Sequence, residues 1–168
     1  PAAAGSRLFS SMPAGVVRSL GDQAIAFNSH EHGLLVSEYE TNPALNGFFD
    51  LLSVDETPEG VEFVSTIEAK DYPFYGTQWH PEKNNFEWSQ NSDYSNLNHS
   101  PEAVAASQAT AGFFLSEARK SPHIFPEEER DSLIYSADLV YTGANDWIYE
   151  QVYAFCPDGE ECNVGPTG

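Results

Sequence analysis

The chain has 168 residues, of which 40 % are hydrophobic and 13 % aromatic. That is enough for one domain with its own core, and it excludes general disorder. Seven Lys and Arg against 26 Asp and Glu give a net charge of −19, a field that repels nucleic acid and anionic membranes.

Pro1 stands where a nascent chain would carry methionine, so a processed product or a truncated piece is expected. Residues 1–11 are mostly small and polar and read as a surface lead-in. From Met12 to Leu20 the pattern predicts a short helix, with Pro13 in its first turn, Val16, Val17 and Leu20 inward, and Gly21-Asp22 as its stop. Ala24 to Phe27 reads as a buried strand, followed by Asn28-Ser29-His30. His30 and His32 are two apart and could chelate, but no Cys or His set completes four zinc ligands, so no metal is expected.

Leu35 to Tyr39 reads as another strand and Asn42 to Phe49 as a helical turn whose apolar residues cap the core. Leu51 to Val54 continues as a strand, and Asp55 to Gly60 is a turn rich in Asp, Pro and Gly. Val61 to Ala69 alternates, with Val61, Phe63 and Ile67 on one face and Glu62 and Glu68 on the other, which predicts a half-exposed strand. Its antiparallel partner is expected at Phe74 to Trp79, the inner member of a hairpin joined through Lys70-Asp71-Tyr72-Pro73.

That second strand ends at His80-Pro81-Glu82. Residues two apart in an extended chain point to the same side, so Glu82 can lie beside the His80 ring. Proline between them removes an N–H and stiffens the pair. A histidine acting as a base needs such a partner to fix its tautomer and steady its positive charge.

Residues 88–99 are polar and read as a loop long enough to border a cleft. Asn98-His99-Ser100 is a glycosylation sequon. Ser100-Pro101-Glu102 then opens the clearest helix, running to Lys120, with Val104, Ala111, Phe114, Leu115 and Ala118 as its expected buried stripe. Pro126 to Asp131 is an acidic run. Leu133-Ile134-Tyr135, Leu139 to Gly143 and Gln151 to Phe155 look like short final strands, and 156–168 is a polar tail. Cys156 and Cys162 lie in that tail and can form a disulfide or stay as two thiols; a disulfide and the Asn98 sequon would fit a lysosomal, vacuolar or secreted route. No internal repeat, domain boundary or run of 18 apolar residues is present, so one domain without membrane insertion is expected.

Gln78-Trp79-His80-Pro81-Glu82 resembles the end of the C-terminal catalytic strand of class I glutamine amidotransferase-like proteins. The longer run through Lys83, Phe86 and Trp88 resembles one branch of them, the gamma-glutamyl hydrolases. Shorter resemblances are spread from Ser6 to Phe155 and include Ser6 to Phe9, Asn28 to Leu34, and Asn42 with Leu45, Phe48 and Phe49. The resemblance implies an α/β chain, the C-terminal half of a doubly wound amidotransferase-like fold, with a β-hairpin carrying a catalytic His80. Glu82 would complete the triad, and His30 would take part in substrate binding. Ser29 departs from the family, which often has an aromatic beside that histidine.

The family's cysteine nucleophile lies upstream of everything present here. Cys156 and Cys162 follow the last strand and lack the glycine-flanked setting of a sharp elbow, so neither fits that role. The implied chemistry is attack of a thiolate on a gamma-amide carbonyl, protonation of the leaving amine by histidine, and hydrolysis of the acyl-enzyme, with no cofactor. The implied substrates are folate poly-gamma-glutamates. Those are anions, which sits awkwardly with a charge of −19 unless Lys83, Arg7 or Arg18 faces them or an acidic compartment charges the five histidines. Half of a doubly wound sheet would expose an unpaired edge and an apolar face. The N-terminal part of the same precursor, or another covering chain, is the expected partner. Two other functions fit the resemblance, a non-catalytic interaction subunit and a glutaminase domain feeding a synthase.

Overall fold

The computed structural model describes residues 5–88, 94–142 and 151–155. They fall into two compact units, Pro1–Asn85 with Asn98–Lys120, and Phe86–Leu97 with Ser121–Gly168.

The first unit opens with a one-turn helix α1 (Arg7–Ser10), capped by Ser6, whose hydroxyl accepts from the Phe9 N–H at 3.0 Å. Helix α2 (Ala14–Asp22) buries the expected Val16, Val17 and Leu20 stripe part-way. It ends at Asp22, at the expected stop, where the Gln23 N–H closes on the Ser19 carbonyl at 3.0 Å and the chain turns extended. Ala24 to Phe27 is not a strand. Its carbonyls are met singly instead of by a ladder: Ala24 by the Asn98 amide, Ile25 by the Asn84 amide, Phe27 by the His80 N–H. Leu35 to Tyr39 is also not a strand. Leu35 makes one bridge to Phe63, and α3 (Val36–Thr41) begins where the Glu38 carboxylate accepts from the Leu35 N–H at 3.2 Å. Helix α4 (Pro43–Phe48) bears out the helical turn, its start fixed by Asn42, which accepts from Ala44 and Leu45 N–H.

Three antiparallel strands follow, β1 (Phe49–Glu56), β2 (Glu62–Ala69) and β3 (Tyr75–Thr77), in the order β1-β2-β3. The turn between β1 and β2 uses Gly60 at φ +83°, a conformation that costs glycine nothing. β2 is the middle strand and is buried on both faces, not half-exposed; Glu68 points inward at 7 % exposure. It can do so because Arg7 lies 3.2 Å away and the Arg7 and Leu8 backbone N–H groups donate to it at 3.0 and 2.9 Å. β3 is shorter than expected and lies at the edge of the described sheet rather than inside it. Opposite Ile67, Gly76 allows close approach: a Cβ there would sit 3.1 Å from Ile67 Cγ1, and that side chain would have to give by a few tenths of an ångström.

After the one-turn helix α5 (Lys83–Phe86), the longest helix, α6 (Pro101–Ala118), starts as expected, with the Ser100 hydroxyl accepting from the Ala103 N–H at 3.2 Å and Pro101 in the first turn. Its buried face differs from the expected one. Ala103, Ala106, Ser107 and Phe113 are inside, while Phe114 is 71 % and Leu115 49 % exposed. The helix has two apolar stripes, and the one of small residues allows the closer approach: Ala103 and Ala106 pack on Ile25 and on Val16 and Leu20 of α2. Phe113 joins Leu8, Phe9, Met12 and Leu52 in the main core, with its ring edge-on to Tyr75 at 4.7 Å.

In the second unit, two 3₁₀ turns (Glu127–Ser132 and Ile134–Ser136) precede a hairpin of β4 (Asp138–Tyr141) and β5 (Gln151–Ala154), in which Val140 faces Val152. The last two expected strands are therefore present, but Leu133-Ile134-Tyr135 is not a strand. The Leu133 and Ile134 carbonyls accept locally from Ser136 and Ala137 N–H. Cys156 and Cys162 lie outside the described residues. The fold is mixed α/β, and none of its described helices is long and apolar enough to cross a membrane.

Candidate active site

The site is made where β3 leaves the sheet. The Gln78 N–H still donates to the Ser65 carbonyl of β2 at 2.8 Å. Trp79 then turns inward to 4 % exposure, its indole N–H donating to the Thr66 hydroxyl at 3.1 Å. The next backbone donor, the His80 N–H, leaves β2 for the Phe27 carbonyl, also at 2.8 Å. Pro81 has no donor to offer, so pairing ends there. The backbone of His80 is thus fixed on one side by a buried indole and on the other by the 24–27 segment.

His80 Nδ1 lies 2.8 Å from Glu82 Oε1. The sequence placed these two residues together, and the structure does so. An ionised carboxylate only accepts, so Nδ1 carries the proton and Nε2 presents its lone pair. The His80 side chain is 39 % and that of Glu82 63 % exposed. An imidazole held in one tautomer by a carboxylate, with its other nitrogen presented as an acceptor, can take a proton and return it.

His30 reaches the same end of the sheet by another route. Its ring stands edge-on to Phe63 of β2 with centroids 5.1 Å apart, and its Nδ1 lies 3.0 Å from the His32 carbonyl. A carbonyl also only accepts, so His30 too presents Nε2. The far end of its loop is tied down where the Val64 N–H donates to the Leu34 carbonyl at 2.8 Å. His32 contributes its backbone rather than its ring. Among the described residues, no three His, Cys, Asp or Glu side chains gather as metal ligands would.

Behind Trp79, between α2 and the sheet, lies a cavity of about 450 Å³ with walls that include Leu20, Leu52, Thr66 and Trp79. Its polar side is Asp55, Ser65 and Asn28. Sequence reading left Asp55 in a turn; only its pairing with distant side chains marks it. Asn84 was also missed. It is 1 % exposed, and its amide donates to the Ile25 and Asn98 carbonyls at 3.1 and 2.8 Å. Of the cations considered for substrate, Arg7 is engaged with Glu68 and with the Tyr72 carbonyl, Lys83 is buried, and Arg18 is exposed. Asn98 Nδ2 donates to the Ala24 carbonyl at 3.1 Å, which uses one of its two hydrogens.

Two titrating groups sit at the other end of β3. Burial pushes the Tyr75 hydroxyl above its ordinary value, against the pull of the nearby Arg7 guanidinium. Glu117, which accepts from Tyr75 at 3.4 Å, is held below the usual carboxylate range mainly by its hydrogen bond with Lys120.

A mixed α/β chain with a histidine–carboxylate pair at a strand exit is suited to acid–base chemistry without choosing a reaction. The comparisons narrow it. The chain is 40 % identical over 152 residues to gamma-glutamyl hydrolase of Rattus norvegicus, covering 89 % of this chain and 46 % of that protein. It is 38 % identical over 154 residues to gamma-glutamyl hydrolase B of Dictyostelium discoideum, covering 89 % and 43 %. Against gamma-glutamyl hydrolase 1 of Arabidopsis thaliana it is 36 % identical over 150 residues, covering 88 % and 42 %. No family model matches the chain. The chain is homologous to the C-terminal part of these gamma-glutamyl hydrolases. It spans less than half the length of these curated relatives.

Proposed function

We propose that this chain is the C-terminal part of a cysteine-type gamma-glutamyl hydrolase with an amidotransferase-like fold, and that His80, Glu82 and His30 serve its active site. The observation that carries the reading is the 2.8 Å contact from His80 Nδ1 to Glu82, which leaves Nε2 as the acceptor. The relatives' names support gamma-glutamyl bonds as the target. The thiol comes from the N-terminal part of the protein. His80 Nε2 takes the proton of that thiol, the thiolate attacks the gamma-amide carbonyl, and the imidazolium returns the proton to the amine as the C–N bond breaks. Water then attacks the thioester as Nε2 takes one of its protons, and that proton passes to the sulfur as the C–S bond breaks. Glu82 holds the ring and steadies the imidazolium, and His30 meets the substrate. The substrates are folate poly-gamma-glutamates, no cofactor takes part, and the protein works in the lysosome, the vacuole or outside the cell. The N-terminal part is also the partner that covers the sheet and α6, so the chain alone is inactive.

The test is hydrolysis of a gamma-glutamyl peptide by the complete protein. His80→Ala should lower kcat/KM by about a hundredfold to ten-thousandfold. Activity kept within about twofold would remove the proposed role of His80. A non-catalytic interaction role is favoured by one observation, the exposed Phe114 and Leu115 of α6. It would be supported by a complete protein that binds a partner through this helix and cleaves nothing.

A further inference from the structure

Asp55 closes a circuit of bonds around the candidate site. Its Oδ2 accepts from the Ser65 hydroxyl at 3.2 Å and, at a longer 3.4 Å, from the Asn28 side-chain amide. Ser65 is 4 % exposed, and its carbonyl accepts from the Gln78 N–H at 2.8 Å, two residues before His80. Asn28 follows Phe27, whose carbonyl holds the His80 N–H, and precedes His30 by two residues. One carboxylate therefore joins β1, β2, the root of the His30 loop and, through Ser65 and Phe27, the segment bearing His80. The other end of the loop is held independently, by Leu34 on Val64 and by the His30 ring on Phe63. At the near end of the loop, Asn28 is tied by the Asp55 bond and by its backbone attachment at Phe27.

We infer that Asp55 is a positioning residue for the proposed hydrolysis, setting where His30 stands relative to His80. This rests on the functional reading above for its consequence, but not for its geometry. Both bonds converge on a single oxygen, so the carbonyl of an asparagine could accept them equally well. What matters at this position is an acceptor of that reach, not the charge.

The first readout is the ring nitrogen spectrum of His30 and His80 in the complete protein. With Asp55→Ala, the His30 signals should move towards a mixture of tautomers while those of His80 keep the Glu82-bound form. Asp55→Asn should restore the native His30 signals. In the complete protein, Asp55→Ala should raise KM about tenfold with a smaller change in kcat, and Asp55→Asn should stay within about twofold. Should Asp55→Ala fail to fold, Ser65→Ala and Asn28→Ala each remove one of the two bonds and should move the same His30 signals part-way. Unchanged His30 signals in these variants would overturn the inference, as would an Asp55→Asn as damaging as Asp55→Ala. If the His30 response is seen while His80→Ala leaves hydrolysis intact, the positioning stands and the catalytic reading falls. The opposite pair of results sinks the positioning and keeps the reading.

Discussion

The β2–β3 hairpin carries a carboxylate at each end, and the two are built in opposite ways. At the turn end, Glu68 accepts from two backbone N–H groups and pairs with Arg7, with its side chain 9 % exposed. At the exit end, Glu82 meets His80 Nδ1 and is 63 % exposed. Glu68 has its acceptor capacity filled by groups that belong to the fold: the start of α1 and the guanidinium that also lies over the Tyr75 ring. A carboxylate in that state holds elements together and cannot respond to a substrate. Glu82 keeps lone pairs towards solvent and is coupled to a ring with one nitrogen presented outward. The polar groups at the first end are consumed by folding, and those at the second remain open to solvent.

The sharpest way to break this contrast is the His80→Ala change, with its expected loss of about a hundredfold or more in hydrolysis by the complete protein. Because the ring is 39 % exposed, denaturant unfolding should move by only about 0.5 kcal/mol. Glu68→Gln should do the reverse. It leaves donors facing a neutral amide and should cost about 2 kcal/mol of unfolding free energy, with catalysis per folded molecule unchanged. A Glu68→Gln protein that is fully stable would erase the distinction. Next in size is Glu82→Gln: the amide carbonyl can still accept from Nδ1, but the charge that steadies the imidazolium is gone. Solvent screening at this exposed pair limits the expected fall in kcat to about tenfold.

The smallest effect concerns pH at the turn end. The Tyr75 hydroxyl is raised above its ordinary value of 10.0, so the neutral phenol is the form the fold prefers. The stability it contributes is complete below that ordinary value and is lost as pH rises through the raised one. Melting temperature should therefore decline above about pH 10, and Tyr75→Phe should make the decline shallower. Glu117 behaves with the opposite sign. Its contribution is present above the ordinary carboxylate value of 4.5 and is lost as pH falls through the lowered one.

What could be read from the sequence was local. His80, Pro81 and Glu82 place a ring and a carboxylate side by side without help from the rest of the chain. Ser100 with Pro101, and Asn42 with Pro43, carry their own helix starts. What could not be read was settled at a distance. Glu68 follows the alternation of an outward residue, and only Arg7, 61 positions earlier, turns it inward. α6 has two plausible apolar stripes, and the choice between them was made by Ile25 and Tyr75. Leu35 to Tyr39 has strand-like residues, but Glu38 reaches back to the Leu35 N–H and starts a helix instead. Asp55 looks like turn chemistry until Ser65 and Asn28 are beside it.

Asn84 has a consequence for motion. Its two amide bonds run to the segment before Phe27 and to the residue that precedes His99, and its own carbonyl lies 2.8 Å from His99 Nδ1. The stretch just after Glu82 is therefore riveted at three points to neighbours far along the chain. Swinging it would break all three bonds together and bury an amide without partners, at a cost of several kcal/mol. The imidazole is mounted on a rigid jamb, and any opening and closing around a substrate must come from whatever faces it.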